Sequence, residues 1–461
     1  MSGALSRAAA EALWRTGSFL FARWFYIQRR VLLSHMRIGV TVPAPIGHLN
    51  AMTALARRLE SRGHEVICIG IPDAASGVAA AGLRFEEYCG KQFPLGSYAE
   101  RAATLSKLSG DAGFAYTLQW IEDGCRAELA ETPGILRRVE LDGLVVDQIH
   151  QGVSPVAMAT GVPFVHVSCT PLMDMTGVTP LWLFPWPDED SEAARERNRM
   201  GVGGLLKMAD GLAALIVEYL DGNGIRVDTS DPYWRTSKLA YLTQMPAALD
   251  FPADHLPAHF HRTGPFHDGA GREPVAFPWE SLTGEPLIYA SMGTLQNGQA
   301  DTFRTILAAT ERPGYQVVLS VGMNTAPESL ALSRPDTIVV QRAPQLELLQ
   351  RATLCVTHAG LNTALEALAQ GIPLVAIPIT NDQPGVAARI LASGTGLFLP
   401  LAQLNAEALR GLVDEVLRTP SYRERALEMK AAIAEVDGLG MAAELIERAF
   451  AAGSATSSST S

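Results

Sequence analysis

The sequence predicts an α/β protein made of two parallel-sheet halves that face each other across a cleft. Three observations carry that expectation. Short β-branched apolar runs alternate with amphipathic segments in both halves, the pattern of parallel strands covered by helices on each face. At 461 residues the chain exceeds the roughly 250 residues that one core usually serves. The alternation also stops between about residues 171 and 268, in a stretch rich in Pro, Trp and Phe, and then begins again.

The first half opens with MRIGVTV (36–42), a buried strand, followed by HLNAMTALARRLESRG (48–63). That segment puts Leu49, Met52, Leu55, Ala56 and Leu59 on one helical face and ends at Gly63, a residue suited to a helix C-terminus. EVICIGI, DGLVVDQ and VPFVHVS are further strands, the last two separated by GVSPVAMATG, which is long enough for a helix. In the second half PLIYASMGT, YQVVLSVG, DTIVVQR, LCVTHAG and PLVAIPI are strands, and DTFRTILAATER, PQLELLQRA, NTALEALAQG and DQPGVAARILASG are helices. The expected division is residues 36–265 and 275–435, with a hinge near 262–285, a closing helix at 436–452 and a disordered polar tail at 453–461 (GSATSSSTS).

Residues 1–35 stand apart. RTGSFLFARWFYIQRRVLL mixes aromatics with Arg15, Arg23, Arg29 and Arg30, and its apolar runs are shorter than the ~20 residues a bilayer span needs. One reading is a basic amphipathic helix on an anionic membrane face. The other, favoured by its poor periodicity, is that the working protein starts at Met36.

A composition of 48% hydrophobic and 18% charged residues is that of an ordinary globular protein. The formal net charge of −11 argues against nucleic acid as a partner. Five dispersed cysteines with no CxxC pair suggest reduced thiols in a cytoplasmic protein.

The densest chemistry lies in VTHAGLNTALEALAQGIPLVAIPITNDQ (356–383). A strand ends at Thr357, His358 and Gly360 lie in a turn, and a helix begins near Asn362. Such a turn presents backbone N–H groups and the positive end of a helix dipole to a phosphate. Glu366 lies one helical turn beyond Asn362 and could accept from ribose hydroxyls. Asp382 and Gln383 offer acceptors and donors for vicinal sugar hydroxyls. Alternatively, Asn362 and Asp382 are only helix caps.

Residues 341–383, QRAPQLELLQRATLCVTHAGLNTALEALAQGIPLVAIPITNDQ, resemble the donor-binding signature of UDP-dependent glycosyltransferases of small molecules. That group includes plant secondary-metabolite, macrolide and zeaxanthin glucosyltransferases. The resemblance spans most of residues 36–450 and is strongest toward the zeaxanthin type, through VSCTPL and ITNDQPGVAARI. It implies two facing Rossmann-like domains (the GT-B type), with the acceptor mainly on the first and UDP-sugar mainly on the second. It assigns Gln345 to the uracil, His358 to the diphosphate and Glu366 to the ribose. Asn362 matches the turn Asn, and Asp382 with Gln383 the sugar-contacting pair. Ser291, Gly293 and Thr294 of ASMGT resemble the turn that reaches the phosphates, and Gly360 completes the cradle. Arg342 stands where the plant signature has a stacking Trp, and the gap from Gln345 to His358 is two residues shorter. A guanidinium plane can also stack on a base.

In the first half, His48 follows strand one and a Pro/Gly loop, where the resemblance implies the general base. Imidazole, with a pKa near neutrality, suits removal of a hydroxyl proton. Asp147 ends the strand GLVVD, 99 positions later, and is expected to orient it, with Asp123 and Asp142 as alternatives. His64 is expected to be structural, and His150 and His166 to be core or cleft residues. His255, His259, His261 and His267 fit no common zinc spacing, so no metal site is expected. The helix amino terminus and His358 are expected to neutralise the leaving diphosphate.

The expected reaction is a metal-independent, inverting transfer of a hexose, glucose first, from UDP-sugar to a lipophilic hydroxyl compound. The UDP-sugar is a co-substrate and no bound cofactor is expected. Leu181, Trp182, Leu183, Phe184 and Trp186 are either an acceptor wall or a loop buried against the sheet. A carotenoid acceptor would bring peripheral contact with the inner face of a membrane. The rival readings are a UDP-sugar epimerase or hydrolase on the same architecture, and a non-catalytic sugar-nucleotide-binding protein.

Overall fold

The computed structural model describes residues 35–295 and 297–457. Both readings of segment 1–35 therefore fall outside the described residues except at His35, whose ring bonds the Gly63 carbonyl at 2.7 Å; residues 458–461 fall outside them too.

The front sheet contains β1 (Arg37–Thr41), β2 (Glu65–Gly70), β3 (Arg84–Glu87), β4 (Gly143–Asp147), β5 (Phe164–Ser168), β6 (Tyr241–Thr243) and β7 (Phe260–Arg262). Its strands are all parallel, in the order β3-β2-β1-β4-β5-β6-β7. The rear sheet contains β8 (Leu287–Ser291), β9 (Gln316–Ser320), β10 (Ile338–Val340), β11 (Ala352–Thr357), β12 (Leu374–Ala376) and β13 (Gly396–Phe398). It too is parallel throughout, in the order β10-β9-β8-β11-β12-β13. β4 and β8 are buried at every residue, and β1 and β11 at all but one. Both faces of each sheet are covered, which is why these strands read as continuous apolar runs.

Each sheet has one point where strand order reverses: between β1 and β4 in front, and between β8 and β11 behind. Loops leaving the carboxyl ends of such a pair diverge and open a crevice. Helix Ile46–Ser61 leaves the front crevice and buries Leu49, Met52, Leu55, Ala56 and Leu59 on the sheet. Helix Leu361–Ala369 leaves the rear one.

Several elements depart from expectation or add to it. The stretch taken as irregular contains helices Glu192–Met208 and Asp210–Gly222 as well as β6 and β7. Ser191 starts the first by accepting from the Ala194 N–H, and Leu212, Ile216 and Leu220 of the second pack into the front core. Helix Gly110–Val139 carries Asp123 and continues through Pro133. The closing helix is longer than expected, running from Gly438 to Ser457 through residues read as tail. It also returns to the front lobe. Leu439, Ala442, Ala443, Ile446 and Phe450 share the core of β1 and helix Ile46–Ser61. Glu447 there accepts from Arg62 at 2.6 and 2.8 Å and bonds His64 at 3.0 Å.

Among the described residues no single helix is long and apolar enough to cross a membrane.

Candidate active site

β1 and β4 are adjacent, with Val40 in register with Val145. The Asp147 N–H donates to the Thr41 hydroxyl at 2.8 Å, pinning the two strand ends together. Asp147 is fully buried, and its Oδ2 lies 2.8 Å from Nδ1 of His48 in the first turn of helix Ile46–Ser61. A carboxylate can only accept, so Nδ1 carries the proton and Nε2 keeps its lone pair. The other Asp147 oxygen accepts from the Ile149 N–H at 3.0 Å. Burial pulls the His48 imidazole down, but the charge and hydrogen bond of Asp147, with a further pull from Asp382, leave its pKa above the usual value. Burial works against the Asp147 carboxylate, yet His48 holds it below the usual range.

The alternatives to Asp147 are engaged elsewhere. Asp123 accepts from Arg101 at 2.9 Å, and Asp142 from the Arg37 N–H at 2.7 Å. His166 sits between the Ser154 hydroxyl and the Ser237 N–H, and His64 on Glu447, both structural positions. His150 is buried beside Tyr88, with its pKa pushed down to about 4 by burial.

Cys169, just past β5, brings its thiol to within 3.5 Å of Asp147 Oδ2. His48, Asp147 and Cys169 thus have ligand-type atoms within 4.8 Å of one another. Hydrogen bonding accounts for their closeness, since the imidazole and the thiol both direct a proton at the same carboxylate oxygen. Burial holds the thiol well above its normal pKa, so it stays protonated. Of the four histidines at 255–267, His255 bonds Asp174 at 2.8 Å and His267 lies 4.0 Å from Glu366.

In the rear lobe Ser291 ends β8 in register with Thr357 at the end of β11. Gly293 has φ +73°, and a Cβ there would sit 2.5 Å from the His358 ring. One on Gly360 would sit 2.4 Å from it, so the two glycines clamp the imidazole between backbones. Ala359, between His358 and Gly360, has φ +66°, a strained value for a residue with a Cβ. Asn297 fixes the Gly293 carbonyl by donating at 2.9 Å. Gly360, not Asn362, is the cap of helix Leu361–Ala369, and no side chain caps that end. The arrangement suits an anion. Burial drives the His358 pKa down to about 4 against a hydrogen bond to the Ser291 backbone. The ring is therefore neutral near pH 7, and its single N–H is the one that donates to the Ser291 backbone.

The remaining rear-lobe residues are also engaged. Glu366 accepts from Arg272 and from Gln345, each at 2.6 Å, and Gln345 accepts from the Tyr289 hydroxyl at 3.0 Å. Arg342 donates to Glu273 at 3.0 Å. Gln383 accepts from the Ile379 and Thr380 N–H groups at 2.8 and 3.1 Å, so its carbonyl oxygen shapes its own loop. Asp382 stands at the start of helix Gln383–Ala392 without capping it, and burial lifts its pKa to about 6, partly offset by His48. Thr294 is exposed beside Gly293.

The two lobes meet around these groups. Asn362 Nδ2 donates to the Gly47 carbonyl at 2.9 Å, which sets the rear helix against the residue preceding His48. The Gly110 N–H donates to the Ile379 carbonyl at 3.1 Å. The Gly385 N–H donates to the Trp182 carbonyl at 2.8 Å, with the backbones too close to admit a Cβ on Gly385. Leu181 is buried in a small cluster with Phe114, Val202 and Leu205, while Phe184 and Trp186 stack at 3.9 Å over Gly201. Sequence reasoning missed Gly47, Gln244, Arg272 and Glu273, which carry no motif of their own.

A carboxylate-bound histidine at one crevice and an anion-suited turn at the other fit a two-domain transferase that uses a sugar nucleotide. A family model described as "UDP-glucoronosyl and UDP-glucosyl transferase" matches residues 229–434. A zeaxanthin glucosyltransferase of Pantoea ananas is 30% identical over 91% of this chain and 97% of its own length. One from Pseudescherichia vulneris is 28% identical, covering 91% and 98%. A crystal structure of the glycotransferase of kitacinnamycin superposes with a TM-score of 0.69 at 24% identity, over 90% of this chain and 99% of that one. The chain belongs to the UDP-glycosyltransferase family and is a glycosyltransferase of the GT-B fold.

Proposed function

We propose that the protein transfers a hexose, glucose first, from UDP to a hydroxyl of a lipophilic small molecule, with inversion and without a metal ion. The observation that carries this is the 2.8 Å bond from His48 Nδ1 to buried Asp147. It leaves Nε2 as a base at the mouth of the front crevice. His48 Nε2 takes the acceptor proton as the oxygen attacks the anomeric carbon from the side opposite UDP. Asp147 stabilises the imidazolium that forms. The diphosphate leaves toward Ser291, Gly293, Thr294, His358 and the Gly360 turn, where oriented backbone N–H groups meet its growing charge. Glu366 and Gln345 take the ribose and uracil, with Arg342 stacking on the base, and Asp382 and Gln383 take the sugar hydroxyls. Asn362 joins the cradle to the front lobe.

Two of the relatives are named for zeaxanthin, a carotenoid alcohol, and both match nearly end to end. The apolar cluster around Leu181, which Trp182 connects to the rear lobe, suits the wall of a lipophilic pocket. We place the protein in the cytoplasm, with peripheral membrane contact when the acceptor is membrane-borne.

The test is a mass-spectrometric screen of UDP-glucose and other UDP-hexoses against pooled lipophilic alcohols. Product with a β-linked sugar from an α-linked donor supports the reading. UDP release that is indifferent to added alcohol would replace it with a hydrolase, and UDP-sugar binding without any turnover with a sensor.

A further inference from the structure

Gln244 follows β6 and is completely buried in the front lobe, outside every motif considered above. Its Nε2 donates to Asn362 Oδ1 at 2.9 Å and to the Cys169 carbonyl at 3.4 Å. Asn362 Nδ2 then donates to the Gly47 carbonyl at 2.9 Å. Gly47 precedes His48, His48 bonds Asp147, and the Cys169 thiol reaches Asp147 at 3.5 Å. These contacts close a ring through the catalytic couple, and Asn362 alone of its members comes from the rear lobe.

The polarity of the ring is fixed at both ends. The Gly47 and Cys169 carbonyls can only accept. Asn362 must therefore turn its NH2 to Gly47 and its oxygen to Gln244, and Gln244 must turn its NH2 to both Asn362 and Cys169. Neither amide can flip without setting like poles against each other. Close approach is built in as well, since a Cβ on Gly47 would sit 3.1 Å from Asn362 Nδ2.

We propose that Gln244 is a positioning residue for glycosyl transfer: through Asn362 it couples seating of the rear lobe to the orientation of His48. This rests on the reading of His48 as the base. Donor binding uses rear-lobe groups, so it survives loss of the coupling. Turnover needs His48 aligned against a donor held by the other lobe, so it does not.

The experiment uses the full chain, UDP-glucose and the acceptor found by the screen. Gln244→Glu keeps the shape but removes the donor. Gln244→Met, neutral and of similar volume, carries the same test if the buried carboxylate prevents folding. The expected result is a kcat at least tenfold lower, with KM for UDP-glucose and UDP affinity within threefold of the parent protein. Combined with Asn362→Ala, Gln244→Met should add little to the single loss, because both cut one chain. Hydrogen exchange of residues 42–50, read without any substrate, should rise in Gln244→Met. Unchanged kcat, a loss confined to KM, losses that multiply, or unchanged exchange would each overturn the coupling. Full turnover by His48→Ala would instead remove the base assignment, whatever Gln244 does.

Discussion

The two crevices share a topology and differ in chemistry. In each, a histidine sits in the loop or first turn beyond one strand of the reversing pair and meets what the neighbouring strand delivers. In front, β4 delivers Asp147, a buried carboxylate 2.8 Å from the His48 ring. Behind, β8 delivers the Ser291–Gly293 turn, and the His358 ring is held between Gly293 and Gly360. The same side chain is pushed above its ordinary pKa in one place and down to about 4 in the other. Burial lowers both; only the front ring has a carboxylate to reverse it. Environment thus gives one imidazole the carboxylate that a base needs and leaves the other neutral near pH 7.

The most severe way to break the comparison is to delete the base. His48→Ala should lower kcat about 1000-fold, within the range general-base catalysis supplies, with UDP affinity within threefold. Kinetics paired with calorimetric UDP titration checks both halves, and ordinary turnover would end the assignment. Asp147→Asn makes the front crevice resemble the rear one. The ring stays buried but loses its anion, so kcat should fall about 100-fold. The pH profile of kcat/KM adds a signed test. Only neutral His48 can act, so activity is present above its pKa and lost as pH falls through it. In the parent protein that acid limb should lie above the ordinary imidazole range; in Asp147→Asn it should move toward acid. A limb that does not move would mean another group titrates.

Gly293→Ala attacks the rear clamp. The added Cβ would lie 2.5 Å from the His358 ring, on a backbone at φ +73° that disfavours any side chain. The ring must shift, and UDP affinity should fall about tenfold while the front-lobe acid limb stays in place. A calorimetric Kd equal to that of the parent would show that the clamp does not serve the diphosphate.

Both crevices were legible in the sequence because each is written locally. A buried parallel strand is a mostly apolar run, so the ionisable residue at or just past its end, Asp147 or His358, announces the strand's carboxyl end. His48 and Asp147 are 99 positions apart, yet β1 and β4 are neighbours, and the alternating grammar implies one sheet for both. What was not legible depends on how distant surfaces dock. Asn362 looks like a cap until Gly47 and Gln244 arrive from the other lobe. Glu366 shows no protein partner in the sequence, yet Arg272, on the path between the sheets, donates to it. The helices at Glu192–Met208 and Asp210–Gly222 were obscured by the Pro- and Trp-rich run just before them. Nothing in the last helix's own periodicity says that it will cross back to the front core.

The finest test concerns the group that belongs to both crevices. Asp382 starts a rear-lobe helix, yet its charge helps raise the His48 pKa, and His48 in turn lowers that of Asp382. The two titrate as a coupled pair, not as independent sites. With its own pKa pushed up to about 6, Asp382 carries most of its charge above that pH, the side on which the raised acid limb of His48 is expected. Asp382→Asn should therefore shift the limb in the same direction as Asp147→Asn, toward acid, but by a smaller step, since Asp147 adds a direct hydrogen bond to a larger Coulomb pull. Loss of a sugar contact would separately raise KM for UDP-glucose, so the limb is read from kcat/KM across pH at subsaturating donor. A limb that stays in place while KM rises would confine Asp382 to the sugar. A limb that moves without any change in KM would make it a front-lobe group carried on rear-lobe backbone, and the division of labour between the crevices would have to be redrawn.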